Sequence, residues 1–246
     1  MNEPIIYVVG IGPGNREMRT IQADTILRKA EVIAGYTVYA DLVREDYPGA
    51  EFITTPMRRE RERCELALMK AAEGKVTAMI CSGDAGVYGM AGLVLQVREE
   101  MYPEVRVEIV PGVTAALSGA ALLGAPIGHD FAVISLSDAL TPWEQIEKRL
   151  LLCAEAGMAI CIYNPESRTR SGYLAKACGI LLRVLPAETV CGIAENIGRT
   201  GESCRVMTLE QLAQETAGMF ATVFIGSPST EEIGGKMVTP RGYRKP

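Results

Sequence analysis

Residues 76–81 (V-T-A-M-I-C) form a nearly unbroken apolar run that stops at Ser82-Gly83-Asp84-Ala85-Gly86-Val87-Tyr88-Gly89. A strand that is apolar at successive rather than alternate positions is buried on both faces, the situation of a parallel sheet covered by helices. Parallel strands need long crossover connections, and the flanking sequence supplies them. Residues 5–9 (I-I-Y-V-V) run into Gly10-Ile11-Gly12-Pro13-Gly14 and then into helical spacing over 20–30. Short runs at 31–34 and 51–54 come next, followed by a charged amphipathic helix over 59–73 that Gly74 stops. After 76–81 the next strand is 105–110, and Pro111-Gly112-Val113-Thr114-Ala115 opens a small-residue helix to Leu123. The expected class is α/β, with an N-terminal sheet that is largely parallel.

Residues 124–130 (G-A-P-I-G-H-D) break both periodicities and mark the expected domain boundary. Beyond them the pattern predicts strands at 131–136, 158–163, 189–195, 204–207 and 221–225, with helices at 143–156, 174–185 and 209–217. At roughly 150 residues per domain, a chain of 246 residues accommodates two units. The reading is a domain over 1–126 and a second over 127–246, with no fixed-period repeat.

Composition removes several functions. A net charge of −5 argues against a duplex-binding surface, which needs clustered cations. The seven cysteines never occur as C-x-x-C, and most sit in apolar runs, so reduced core thiols are expected. One histidine and no paired cysteines leave little from which to build a metal site, and none is expected. No apolar stretch of about 18 residues is present to span a membrane. The first residues (M-N-E-P) lack the pattern of a secretory signal, so a cytoplasmic location is expected.

The turn after the first strand resembles a dinucleotide fingerprint only partly. Its third glycine would fall at position 15, which is Asn15, and the acidic residue expected near Ala34 and Gly35 is missing. No phosphate-binding G-x-x-x-x-G-K-[ST] occurs. What remains is a tight turn that lets backbone approach a ligand, or a plain strand-to-helix turn. The Ser82–Gly89 segment is stronger, because its glycines and Asp84 fall at the carboxyl end of a buried strand, where open α/β sheets bind ligands. Freed backbone groups there can grip the amino-acid and ribose parts of a cofactor while Asp84 accepts hydrogen bonds; alternatively Asp84 caps the next helix. Thr114 and Ala115 would line the same crevice.

The strings G-I-G-P-G, S-G-D-A-G-V-Y-G-M-A-G, P-G-V-T-A, L-G-A-P-I-G-H-D-F, I-S-L-S-D-A-L-T-P-W-E-x-I-E-x-R, Y-N-P-x-S-x-x-R and T-P-R-G-Y span essentially the whole chain. In these the chain resembles the tetrapyrrole methylases, a family of S-adenosylmethionine-dependent methyltransferases. More narrowly it is similar to the branch that methylates carbon 17 of precorrin-3B or cobalt-precorrin-3 and contracts the ring in cobalamin synthesis. The resemblance implies two α/β domains with S-adenosylmethionine in the cleft between them, a tetrapyrrole substrate and a homodimer. It implies cofactor contacts at Pro13, Ser82, Gly83, Asp84, Val87, Thr114, Ala115, Tyr163, Ile193, Ala194 and Thr222. Gly12, Gly14 and Tyr88 would face the tetrapyrrole. Alternatives are a methylase acting at another ring carbon and a non-catalytic tetrapyrrole-binding module.

The methyl group arrives activated, so its transfer needs alignment rather than a protein nucleophile. Ring contraction needs proton transfers, for which His129, Asp130, Ser135, Ser137 and Asp138 are candidates near the expected boundary. His129 reads equally as a hinge residue, and Asp138 as a turn cap. A polycarboxylate substrate requires local positive charge in an acidic chain. Arg58 and Arg59, in a cluster with Arg61 and Arg63, and Arg168, followed by Arg170 after Y-N-P, are the candidates; guanidinium forks suit carboxylates. A solvated helix face paired with Glu60 and Glu62 is the alternative for the first group.

Overall fold

The structure, a computed structural model, describes residues 3–167 and 169–243. Arg168 therefore lies outside the described residues. The chain divides into two compact units, one ending at Thr114 and the other beginning at Ala115.

The first unit alternates strands and helices: β1 (Ile5–Gly10), α1 (Ile21–Leu27), β2 (Val32–Tyr36), α2 (Thr37–Asp41), β3 (Glu51–Thr55), α3 (Glu60–Ala72), β4 (Thr77–Cys81), α4 (Ala91–Met101) and β5 (Arg106–Val110). The strands form one five-stranded sheet in the order β3-β2-β4-β1-β5, and every pairing is parallel. All residues of β4 are buried, as its uninterrupted apolarity predicts. Side chains alternate across the sheet. Ile6, Val8, Ala34 and Met79 pack with α3 and α4, whereas Val9, Ile33, Ala78 and Ile80 pack with α1 and α2. The helices that follow the neighbouring strands β1 and β4 thus lie on opposite faces. That makes the β1/β4 carboxyl edge a topological switch point, where the departing loops diverge.

Local chemistry sets the helix boundaries. Thr20 accepts from the Ala23 amide at 3.1 Å to start α1. A buried ionic network underlies this region: Arg19 reaches Asp46 at 3.0 Å and the Tyr47 hydroxyl, which donates to Asp24 at 2.9 Å. Burial and the bond to Asp24 push Tyr47 up to about 12.

The second unit comprises α5 (Ala115–Leu123), β6 (Gly124–Ala125), β7 (Phe131–Ser135), α6 (Trp143–Glu155), β8 (Ala159–Tyr163), α7 (Tyr173–Leu181), β9 (Val190–Glu195), β10 (Ser203–Thr208), α8 (Leu209–Leu212), β11 (Ala221–Ile225), β12 (Glu231–Ile233) and β13 (Lys236–Val238). Its main sheet runs β10-β9-β11-β8-β7 and is mixed: β7 and β8 are parallel, and the other pairings are antiparallel. Ile146, Leu150, Leu174 and Leu181 cover one face of this sheet. A three-stranded sheet, β12-β13-β6, involves the tail.

The division at Thr114/Ala115 differs from the sequence boundary between 126 and 127, because α5 packs with the second unit. A methyl on Gly119 would stand 3.0 Å from the Phe224 ring, and one on Gly192 would stand 2.7 Å from Leu123. Gly124 and Pro126 interrupt local periodicity but do not separate units. Thr239 instead donates to the Pro126 carbonyl at 2.6 Å, tying the tail to that turn. The thiols are free, and Cys64, Cys81, Cys161, Cys178 and Cys191 are buried. Burial pushes Cys64, Cys161 and Cys178 up to about 12. Among the described residues no helix is long and apolar enough to cross a membrane.

Candidate functional site

At the switch point of the first unit, the turns after β1, β4 and β5 meet as bare backbone. The Ile11 amide donates to the Cys81 carbonyl at 2.9 Å, and Gly12 and Gly83 exchange amide-to-carbonyl bonds of 3.1 and 2.8 Å. Gly12 and Gly83 both hold positive φ, +76° and +67°. A methyl on Gly112 would lie 2.1 Å from the Gly83 carbonyl oxygen, and one on Gly10 would lie 2.7 Å from the Gly112 nitrogen. These positions admit only glycine because three backbones occupy the space of a Cβ. The glycine-bearing ends of β1, β4 and β5 thus meet at Gly10, Gly83 and Gly112.

Asp84 binds this junction together. One carboxylate oxygen accepts from Gly86 N at 2.8 Å and the other from Gly112 N at 2.9 Å. It caps its own turn and pins the β5 loop; α4 starts after Met90 without a side-chain cap. Ser82 and Val87 are half-buried beside it, while Gly86, Tyr88 and Gly89 are exposed. Tyr88 holds φ +52°, an uncommon conformation for an aromatic residue, and is 58% exposed. Gly12, Pro13 and Gly14 are buried. Thr114 closes the β5 loop and is half-buried.

The basic cluster separates by role. Arg63 is 4% exposed and clips the end of β3, donating to the Thr55 hydroxyl at 2.9 Å and the Pro56 carbonyl at 3.1 Å. Arg61 pairs with Glu65 and Glu100, and Arg59 with Glu62. Arg58 sits at φ +68° in the exposed turn, and its amide donates to Glu60 at 3.0 Å. Its side chain enters no ion pair among the described residues. Arg63 groups with the others by its neighbours in sequence, yet its buried position on the apolar face of α3 marks it as structural.

In the second unit, strand register places several expected residues in one row. Ser135 pairs with Tyr163, and Thr222 with Ala194, while Val223 bridges Ile162 and Ile193 one position earlier. Ser135, Tyr163, Thr222 and Ala194 therefore lie level at the carboxyl edge of β7, β8 and β9. Ile193 turns its side chain into the core. Tyr163 accepts from the Ala116 amide at 2.7 Å, fixing the first turn of α5 next to Ala115. Ser135 accepts from Asn164 at 2.9 Å and from the Ser137 amide at 3.1 Å. Thr222 is 4% exposed.

Asp138 follows on the same edge and receives the Tyr173 hydroxyl at 2.7 Å. That bond holds Tyr173 above its ordinary value, while the nearby Arg170 charge acts in the opposite direction. Trp143 stacks edge-on against Tyr173, with centroids 5.0 Å apart. His129 and Asp130 do not join this group. They precede β7 and flank Gly157 and Pro228, whereas Ser135, Ser137 and Asp138 stand at or beyond the end of that strand. At about 3.3 Å per residue the extended strand separates the two sets by roughly 20 Å. The cluster expected from proximity in sequence is thus two groups at opposite strand ends. His129 and Asp130 are exposed, with 3.8 Å between Nδ1 and the carboxylate.

Two further groups are not among the expected site residues. Glu166, 8% exposed, accepts from Gly172 N at 2.6 Å and Ala217 N at 3.2 Å, anchoring the start of α7. Tyr173 carries no motif signal beyond its place after that glycine.

The sequence profile of the tetrapyrrole (corrin/porphyrin) methylases matches residues 5–213. A probable cobalt-factor III C(17)-methyltransferase from Salmonella typhimurium is 44% identical over 239 residues, covering 97% of this chain and 99% of that protein. A precorrin-3B C(17)-methyltransferase from a Sinorhizobium species is 39% identical over 97% of this chain and 96% of its own. The crystal structure of the methyltransferase CobJ superposes with a TM-score of 0.88 at 33% identity, covering 96% of this chain and 99% of that one. The extent of these matches, together with the glycine junction, settles the classification: this chain belongs to the tetrapyrrole (corrin/porphyrin) methylases.

Proposed function

We propose that the protein transfers a methyl group from S-adenosylmethionine to carbon 17 of a tetrapyrrole polycarboxylate in corrin synthesis, with contraction of the ring. The observation that carries the reading is the junction of Gly10, Gly83 and Gly112 at the switch point, rigidified by Asp84. The cobalt-containing substrate is favoured over the metal-free one by the 44% identity to the cobalt-factor III relative, against 39% to the precorrin-3B relative. Cobalt would arrive in the substrate. A homodimer in the cytoplasm belongs to the same proposal.

The residues suit the cofactor on two counts. The exposed Gly86–Gly89 backbone beside half-buried Ser82 and Val87 offers amide and carbonyl groups at a ligand-binding edge. Thr222, 4% exposed, brings a hydroxyl-bearing side chain to the row that also holds Tyr163 and Ala194. When bound, S-adenosylmethionine supplies a methyl already activated on sulfur, so the displacement needs alignment and exclusion of water. Ser82, Gly83, Val87 and Thr114 serve it in the first unit; Ala115, Tyr163, Ala194 and Thr222 serve it in the second. Asp84 acts by holding the Gly83 and Gly112 turns in place, and Pro13 by stiffening the buried first turn. Gly12, Gly14 and Tyr88 stay with the tetrapyrrole, and Arg58 offers its guanidinium to a substrate carboxylate. We assign the proton transfers to Asp138 and Ser135, and not to His129 and Asp130, because the former share an edge with Tyr163.

Calorimetric titration with S-adenosylmethionine tests this assignment. Micromolar binding by the wild type that weakens about tenfold or more in Asp84→Ala is expected, since the two backbone amides that tie the glycine turns together lose their acceptor. Absence of binding by the wild type would favour a non-catalytic module.

A further inference from the structure

Arg170 lies in the loop after β8, where its amide bonds the Ser167 carbonyl at 3.0 Å and the two residues form an isolated bridge. This tight turn fixes the backbone, and Nε donates to the Ser167 hydroxyl at 3.2 Å, which orients the guanidinium. Nη1 is buried and has no hydrogen-bond partner. Arg170 forms no ion pair among the described residues. The neighbouring carboxylate, Asp138, is engaged by Tyr173, and both oxygens of Glu166 are engaged by backbone amides.

A buried donor on a permanently charged group is costly unless an acceptor completes it. The acceptor that suits a planar guanidinium fork is a carboxylate or a similar oxyanion. We infer that Arg170 binds a peripheral carboxylate of the tetrapyrrole, on the edge that carries Ser135, Tyr163 and Asp138. The inference rests on the proposed function for the identity of the ligand, and it selects Arg170 as specificity-determining from among the basic residues that the sequence offers for the substrate carboxylates. A side-chain carboxylate bound there fixes the rotation of the macrocycle, since a ring turned by one pyrrole presents a different pattern of acids.

The test is a spectral titration of the full chain with the cobalt-containing tetrapyrrole, comparing wild type, Arg170→Met and Arg170→Lys, with S-adenosylmethionine affinity measured alongside. Loss of a charge-assisted contact predicts tetrapyrrole affinity lower by about tenfold to a hundredfold in Arg170→Met. Arg170→Lys should recover part of it, and cofactor affinity should stay within about twofold. The salt dependence of tetrapyrrole binding should also weaken in Arg170→Met. Tetrapyrrole affinity unchanged in both variants would overturn the inference, as would a matching loss of cofactor affinity in Arg170→Lys, the sign of a structural role. Because binding rather than turnover is read, wild-type binding without methyl transfer would count against the proposed function and leave the Arg170 comparison valid.

Discussion

At the scale of single residues, the site depends on atoms that are absent. Gly112 lies against two other backbones, and a methyl there would stand 2.1 Å from the Gly83 oxygen and 2.7 Å from the Gly10 carbonyl carbon. Neither neighbour is a side-chain end that can swing away, so overpacking must move main chain. Gly112→Ala should cost about 3 kcal/mol of stability or more, read as a lower urea midpoint with an unchanged slope. A midpoint equal to wild type would mean that the three turns are not held in contact. Gly92, where an added methyl would meet nothing within 4 Å, is the control and should tolerate alanine. The glycines were legible as motif members, but the reason for each was not. Gly10 looks like the end of an apolar strand, and only the pairing of β1 between β4 and β5 shows what it touches. Asp84 stands out in the sequence as a carboxylate at a glycine-rich strand end, whereas its partner Gly112 lies 28 positions further along the chain.

Elements whose burial is uniform are the most directly legible. The apolar run of β4 announces a central strand, and it is central. Position along a strand is less legible: His129 and Asp138 are close in sequence, but β7 extends between them and sends them to opposite edges. The placement of α5 departs from the sequence pattern for a related reason. The break at Gly124 is local, whereas the fit of Gly119 against Phe224 belongs to tertiary packing. Helix α1 carries a testable electrostatic element. Asp24, in its first turn, is held below the ordinary carboxylate range; burial works against this, and is outweighed by hydrogen bonds from Arg28 and Tyr47 and by the Arg28 and Arg16 charges. A carboxylate with a lowered folded value contributes stability at neutral pH and loses it as pH falls through that value. Asp24→Asn should therefore be less stable than wild type at pH 7, with the gap narrowing below about pH 4. A gap that stays constant from about pH 7 to about pH 3 in thermal melts would assign the effect to packing.

On the scale of the whole molecule, each unit is built differently and contributes differently. The first has an all-parallel sheet with a switch point; the second has a mixed sheet whose row at Ser135, Tyr163, Thr222 and Ala194 emerges only from register. Register across antiparallel strands depends on pairings between distant segments, so sequence could name those four residues through resemblance but could not align them. Acidity, with a net charge of −5, makes the placement of uncommitted guanidinium groups such as Arg58 and Arg170 decisive for an anionic substrate. The central claim is methyl transfer to the macrocycle with ring contraction. Its most direct measurement is the mass and absorbance spectrum of the product after incubation of the protein with S-adenosylmethionine carrying a ¹³C-labelled methyl and the cobalt-containing or metal-free tetrapyrrole. One labelled methyl at carbon 17 and the spectrum of a contracted ring are expected with the cobalt-containing substrate; recovery of both tetrapyrroles unlabelled, with S-adenosylmethionine intact, would rule out methyl transfer to the macrocycle.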